Sequence, residues 1–255
     1  MSPERVLRAL LPPAFWLAVW VLAARAAGSG LLLPGPAAVW AALVRLLPTA
    51  GFWKSVGASL LRVLAGLAWG TAAGAALGAL TAASAWADRL ISPALRVLRA
   101  TPVVSFILLL LLWLRRTAVP AAVSGLMVLP VIWEAVRQGA ARTDPLLLEL
   151  ARAYRFGRLK TLGLVYVPSV LPHFAAGLHT ALGLAWKSGV AAEVLCRPRL
   201  AVGGAIYSAK LTLETPELFA WTAVVAALSL ALEKGLFLFL KEKEPKRTSS
   251  LPDSA

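Results

Sequence analysis

Residues 55–85 read SVGASLLRVLAGLAWGTAAGAALGALTAASA, thirty-one positions with a single charge, Arg62. A helix needs about 20 apolar residues to cross a bilayer, so this run is long enough to span one. Glycines stand at 66, 70, 74 and 78, an unbroken four-residue spacing. On a helix that spacing lays Gly66, Gly70, Gly74 and Gly78 along one stripe without side chains, where a neighbouring helix can approach closely. The stripe predicts a packed helical bundle and carries no chemistry of its own.

Working outward, the same character holds for the whole chain. Its 255 residues are 59% hydrophobic and only 15% charged, against about 45–50% and about 25% in ordinary globular proteins. One water-soluble domain of this length could not hide so many large apolar side chains. The composition therefore excludes a soluble class and predicts an all-α polytopic membrane protein. The net charge is +14 and the pI about 11.1. Its bases fall in short clusters between apolar runs, the pattern of membrane-flanking loops and not of a nucleic-acid interface. The lone Cys196 has no partner for an intrachain disulfide, and two histidines with one cysteine do not make a structural metal site.

The pattern predicts one transmembrane domain over 1–255, with about six spans between residues 10 and 240. The first runs over 10–33 and ends at Pro34, Gly35 and Pro36. Its basic start imitates a cleaved signal peptide, but the further spans favour an uncleaved helix. A short interfacial helix is expected over 37–47. Spans follow at 55–85, 97–114, 118–136 (interrupted by Pro130), 168–195 and 219–240. A charged, disordered tail is expected over 241–255. Six spans put both termini on one side. Segments on that side hold 16 Lys and Arg against 7 in the opposite loops. Basic loops stay in the cytoplasm, so the termini and the loop at 137–167 face inward, in the plasma membrane.

That loop is too patterned for a simple connector. Asp144-Pro145 is a helix start, because proline suits the first turn, and a short helix is expected from Leu146 through Phe156. Projecting from the bilayer with small and basic residues, it could dock in another protein's groove or rest on anionic headgroups. The residues alone leave both open.

Glu149-Leu150-Ala151, followed by Val165-Tyr166-Val167-Pro168 with Glu149 and Pro168 nineteen apart, resembles the "EAA" loop of inner-membrane permeases from binding-protein-dependent ABC importers. The resemblance runs over most of the chain. LLLPGPAAVWAAL at 31–43, the glycine-striped run at 59–80, ISPALRVLRATPVVSF at 91–106 and VPSVLPHFAAGLHTALGLAWKSGVAAEVL at 167–195 are similar to the nitrate/sulfonate/taurine-type branch. Each motif is loose, whereas their order and spacing together are specific. Three positions depart from the pattern, one of them Leu150 at its second place, a residue common in this branch. The glycine usual six residues after the glutamate is Arg155, with Gly157 two positions later, and Lys187 stands where the branch has an apolar or hydroxyl residue.

The resemblance implies a permease that pairs with a second copy, two cytoplasmic ATPase subunits beneath it, and an extracytoplasmic solute-binding protein. The 146–157 segment would be the coupling helix, presenting Glu149, Leu150, Ala151, Arg152, Ala153, Tyr154, Arg155 and Gly157, with Pro168 closing the motif. This chain would bind no cofactor, since it lacks a G-x-x-x-x-G-K-[ST] phosphate loop and ATP would sit on the partner. The solute would be small, an organic anion such as a sulfonate, or nitrate; a vitamin precursor also falls within the branch.

Ionisable groups inside spans face a bundle interior or a water-filled cavity. His173, Thr180 and Lys187 recur every seven residues, about 700°, and share a helix face to within about 20° per step. His179, Trp186 and Glu193 share a second face about 120° away. Lys187, Glu193, Thr180, Ser188 and His179 are thus candidates for a translocation path. The alternative for Lys187 and Glu193 is a paired or solvated structural role. His173 is expected to make a structural hydrogen bond, Arg62 to reach the outer interface, and Glu134 to pair with Arg137. A polytopic membrane enzyme would need paired carboxylates or His-Glu-x-x-His, and a channel a repeated filter element. The sequence has neither. Energy-coupling-factor importers carry Ala-Arg-Gly, where this chain has Ala151-Arg152-Ala153.

Overall fold

The computed structural model describes residues 3–243, and every regular element in that range is helical. Most of the expected charged tail, from residue 244 on, lies outside the described residues. The elements in chain order are α1 (Pro3–Ala26), α2 (Pro36–Leu46), α3 (Ala50–Ala83), α4 (Ala85–Ala100) and α5 (Val103–Leu110). They continue with α6 (Val119–Ala141), α7 (Pro145–Ala153), α8 (Arg158–Thr161), a π-helical turn at Leu162–Tyr166, α9 (Val167–Cys196), α10 (Val202–Leu211) and α11 (Thr215–Lys243).

The core is a three-helix sandwich with α6 in the middle. The glycine stripe packs on α6, and all four of its glycines are buried. A methyl group at Gly66 would meet the Ala121 carbonyl oxygen at 2.5 Å, at Gly70 that of Gly125 at 2.5 Å, and at Gly74 that of Leu129 at 2.6 Å. At Gly78 it would meet Val136 Cβ at 2.7 Å and the Trp133 oxygen at 2.9 Å. The partners climb by four as the glycines do, so α3 and α6 run parallel, backbone against backbone. Trp69 reinforces the seam by lying over Gly125 and donating its Nε1–H to the Ala121 carbonyl at 3.1 Å. On the far side α9 runs antiparallel to α6. Gly139 meets Val170, Gly177 meets Ala135 and Gly189 meets Ser124. The main apolar cluster lies among these three helices, with Val63, Val128, Ile132, Ala181, Ala185 and Trp186 at its centre.

Parallel contact between α3 and α6 requires the chain between them to return across the bundle. It does so in two pieces. α4 is amphipathic, with Leu95 packed on Leu129 and Trp133. The axis then bends by 100° before α5, whose Ile107 packs on Val119, Val123 and Cys196. Pro102 causes the break: its ring disfavours helical backbone at the residue before it, and Thr101 is extended at φ −78°, ψ 133°. The uninterrupted third span expected at 97–114 is therefore corrected to a broken one.

Two other expected boundaries move. The run at 10–33 was expected to be one span, but α1 stops at Ala26 and Gly28 turns the chain at φ +61°. The described apolar part of α1, Leu11–Ala26, is about 24 Å long, short of the about 30 Å hydrocarbon core. Among the described residues four helices are long and apolar enough to cross, and the bent pair makes a fifth, so the count of six is not reached there on this measure. The polar loop at 137–167 is also shorter than expected. Helix resumes at Arg158 and runs without interruption to Cys196. The π turn explains how Pro168 fits inside it: a proline clashes with the carbonyl four residues back, and the wider turn, with Val167 N–H donating to Leu162 O, makes room. The short helix expected over 37–47 is present as α2, packed on α11 through Ala42 and Ala220.

Candidate functional site

Two regions carry the residues singled out above. The first is the helix that links α6 to α9. Asp144 caps α7 by accepting the Leu146 amide at 2.9 Å, with Pro145 at the first helical position, so the start of the helix is as the sequence predicts. Its end is a six-to-one turn: the Phe156 amide donates to Ala151 O at 2.8 Å and the Arg155 amide to Arg152 O at 2.9 Å. Such a cap needs left-handed backbone at its pivot. The pivot is Arg155, at φ +52°. This is the position where the family pattern has glycine. Gly157 does not take over that duty, since it sits in extended conformation as the N-cap of α8. The helix is therefore Pro145–Ala153, shorter than the expected run to Phe156.

Ala151 is the buried contact of α7. It faces a hollow of about 170 Å³ shared with Leu148, Arg152, Phe156, Thr161 and Tyr166. Lys160 lies over the Phe156 ring at 4.3 Å and pins the turn from below. The opposite face is open: Leu146 is 70% exposed, Leu150 53% and Tyr154 70%, with Glu149, Arg152 and Ala153 exposed beside them. Leucine, leucine and tyrosine at four-residue intervals make an apolar ridge edged by charge. Pro168 is exposed at the start of α9.

The second region is α9. The path candidates do not form one lining. Thr180, Lys187 and His179 are exposed in the chain. Ser188 is buried in the α6–α9 seam and donates to Ala185 O at 3.3 Å. Glu193 is wholly buried, and its carboxylate is fully partnered. It accepts Arg62 Nη1 at 2.7 Å, Ser59 Oγ at 2.7 Å and the Gly203 amide at 3.2 Å. Ser59 Oγ in turn accepts the Val202 amide at 2.9 Å. One carboxylate thus ties α3, α9 and the start of α10. Gly203 is obligatory there, since a methyl group would sit 2.6 Å from Glu193 Cβ. Arg62 was expected to stretch to the outer interface. It turns inward because an unpaired buried carboxylate would be far costlier than ordering one long side chain.

Of the local expectations, Glu134 pairs with Arg137 at 3.4 Å and accepts Gln138 Nε2 at 2.6 Å. His173 differs: its Nδ1 is buried with no hydrogen-bond partner among the described residues. Ser59, Arg62 and Gly203 were not foreseen as a unit. The available signal was a lone arginine in one apolar run and a lone glutamate in another, each in need of an opposite charge. Glu233 was also passed over; it lies within the last apolar helix and approaches Gly183.

The comparisons with known proteins agree with this architecture. The chain is 27% identical over 224 residues to the taurine transport system permease protein of Escherichia coli strain K12, covering 85% of this chain and 81% of that protein. It is 31% identical over 185 residues to that organism's putative aliphatic sulfonates transport permease protein, covering 70% and 69%. The crystal structure of an amino acid ABC transporter with histidines superposes at a TM-score of 0.64 and 18% identity, over 78% of this chain and 96% of that one, which shows a common fold. Residues 70–239 match the model for the binding-protein-dependent transport system inner membrane component, and the chain belongs to that family of ABC importer permeases.

Proposed function

We propose that this permease conducts a small anion, an organic one such as a sulfonate, or nitrate, and that α7 couples it to a cytoplasmic ATPase. Two copies pair around the path, two ATPase subunits seat beneath them and hold the ATP, and an extracytoplasmic binding protein delivers the solute. This chain itself binds no cofactor and performs no hydrolysis. Both termini and α7 face the cytoplasm, in keeping with the excess of basic residues on that side. The two sulfur-oxyanion permeases among its relatives support the solute class, and Lys187 supplies a cation within a span.

The observation that carries the coupling role is the build of α7. Capped at both ends and joined to α6 and α9 by short turns, it is stiff. Its outer face offers Leu146, Leu150 and Tyr154 to a groove, the way amphipathic helices dock. Closure of an ATPase cleft around that ridge would move α6 and α9 with it, and the linkage works in both directions.

Glu149→Lys reverses the charge on the ridge without touching the caps. With the ATPase and binding protein reconstituted in liposomes, the substitution is expected to lower ATP-driven uptake at least about tenfold, equivalent to about 1.4 kcal/mol, while the chain folds normally. Undiminished uptake with intact assembly would overturn the coupling role.

A further inference from the structure

We infer that the inner end of the bundle binds one anionic phospholipid, with an acyl chain in a groove between α3 and α9 and the headgroup phosphate beside Arg152, behind α7. This goes beyond the proposed solute and shares with the proposed function only the inward orientation of α7.

The site has two parts that meet at one side chain. The larger is a hollow of about 410 Å³ walled by Ala75, Ala79 and Ala83 of α3 and by Val170, Leu171 and Phe174 of α9. Ala79, Ala83 and Leu171 are exposed, so this hollow opens on the outside of the helices. Tyr166 lines it too, and Tyr166 also lines the smaller hollow behind α7, together with Arg152 and Thr161. An apolar space thus adjoins a polar one across a tyrosine, a residue type enriched at the headgroup level of membranes.

The length of the groove selects its occupant. From Tyr166 to Phe174, and again from Ala75 to Ala83, a helix rises about 12 Å. Half of an about 30 Å hydrocarbon core is about 15 Å, so the groove is about one leaflet deep. Beyond it Leu67 of α3 and Leu178 of α9 pack on the main apolar cluster and close the gap. A helix of a second copy needs a seam through the full thickness, whereas an acyl chain entering from one side needs half.

Charge selects the headgroup. Arg152 lines the smaller hollow, and Lys160 lies 4.3 Å over the Phe156 ring, which lines it as well. Neither cation has a carboxylate within 4.0 Å, since the ion pairs among the described residues are Arg62–Glu193 and Arg137–Glu134. Among the described residues no aspartate or glutamate lines either hollow. A phosphodiester would meet two cations there, each worth about 1 kcal/mol near a membrane surface. A zwitterionic lipid would bring its own ammonium against them.

The test uses the full permease with its ATPase in lipid nanodiscs. These are made of phosphatidylcholine doped with phosphatidylglycerol that carries a diazirine midway along one acyl chain. Photolysis and peptide mapping are expected to place the cross-link within residues 75–83 or 167–174. The same chain on phosphatidylcholine is expected to label the groove at least about fivefold less, roughly 1 kcal/mol. Arg152→Gln is expected to lower labelling by phosphatidylglycerol about fivefold and to leave labelling by phosphatidylcholine in place. Lys160→Gln, outside α7, is expected to act in the same direction. Ala79→Trp, or Leu171→Trp from the other wall, is expected to remove labelling of the groove by both lipids. Equal labelling by the two lipids, label spread evenly over the exposed faces of the other spans, or undiminished labelling in the arginine and lysine variants would overturn the proposal. Cys196 is the only cysteine, so Cys196→Ala clears the background for Ala79→Cys. A disulfide between Ala79→Cys on two copies would assign the groove to the second permease and overturn the lipid site. ATP-driven uptake by the unmodified permease, assayed alongside, keeps these outcomes separate from failure of the importer reading.

Discussion

Replacing Gly70 by alanine adds one methyl group where α3 and α6 are closest. The new carbon would lie 2.5 Å from the Gly125 oxygen, 2.8 Å from Gly125 Cα and 2.9 Å from Val128 Cβ. Carbon contacts are optimal at about 3.5–4.0 Å, so the helices must separate by about 1 Å or rotate. Two of the three obstacles are backbone, which cannot swing aside as a side chain would. The penalty should therefore fall at the upper end of the overpacking range, about 3 kcal/mol. Alanine recovers about 1 kcal/mol of helix propensity over glycine, leaving a net loss of about 2 kcal/mol. Gly57 is the matched control. It lies on the same helix, and a methyl group there meets nothing within 4 Å. Gly57→Ala should gain about 1 kcal/mol. The two substitutions, chemically identical, should thus differ by about 3 kcal/mol in opposite directions. Tryptophan fluorescence during denaturant unfolding in detergent micelles would read both, since ten tryptophans are present. If Gly70→Ala and Gly57→Ala shifted stability equally, the close-approach argument would fail. Combining Gly70→Ala with Gly74→Ala should cost less than the sum, because the first substitution already parts the seam.

Glu193→Ala should destabilise by about 3–5 kcal/mol, since it leaves Arg62 without its counter-ion inside the bundle; the double variant Glu193→Met with Arg62→Met should recover most of this, and no recovery would show that the ion pair is not the reason for the loss. Arg155→Gly should strengthen the end of α7 by about 1 kcal/mol, as glycine takes left-handed backbone without the side-chain penalty. Hydrogen exchange over residues 150–157 should slow accordingly. Faster exchange would mean that the arginine side chain, and not the backbone, holds the turn.

Much of this was legible before any coordinates. The glycine stripe is readable because four-residue spacing in an apolar run has few uses other than close packing, and α6 takes that place. Asp144-Pro145 is readable because capping is local chemistry. The break after α4 had a local signal, since Pro102 restricts Thr101, but the expectation of one span over 97–114 took no account of it. The early start of α9 was not legible, because a π turn is fitted to Pro168 by backbone geometry without a side-chain signature. The lone arginine and glutamate marked a need for partners, but which groups join in the Glu193 network was hidden for another reason. Its members are 134 and 131 residues apart along the chain, and only the fold brings them together. Arg155 shows a residue type overridden by context: arginine avoids left-handed backbone, yet the cap requires it.

The meshing of α3 with α6 also limits how the two can slide. Each gap on one rod is filled by a carbonyl of the other at four successive levels, like teeth on a rack. A small axial slip would drive those carbonyls into the Cβ-bearing residues between the gaps. Register could be regained only after a jump of one full repeat, about 6 Å. Short of such a jump the two rods travel as one, and any rocking of the bundle must be taken up at other seams.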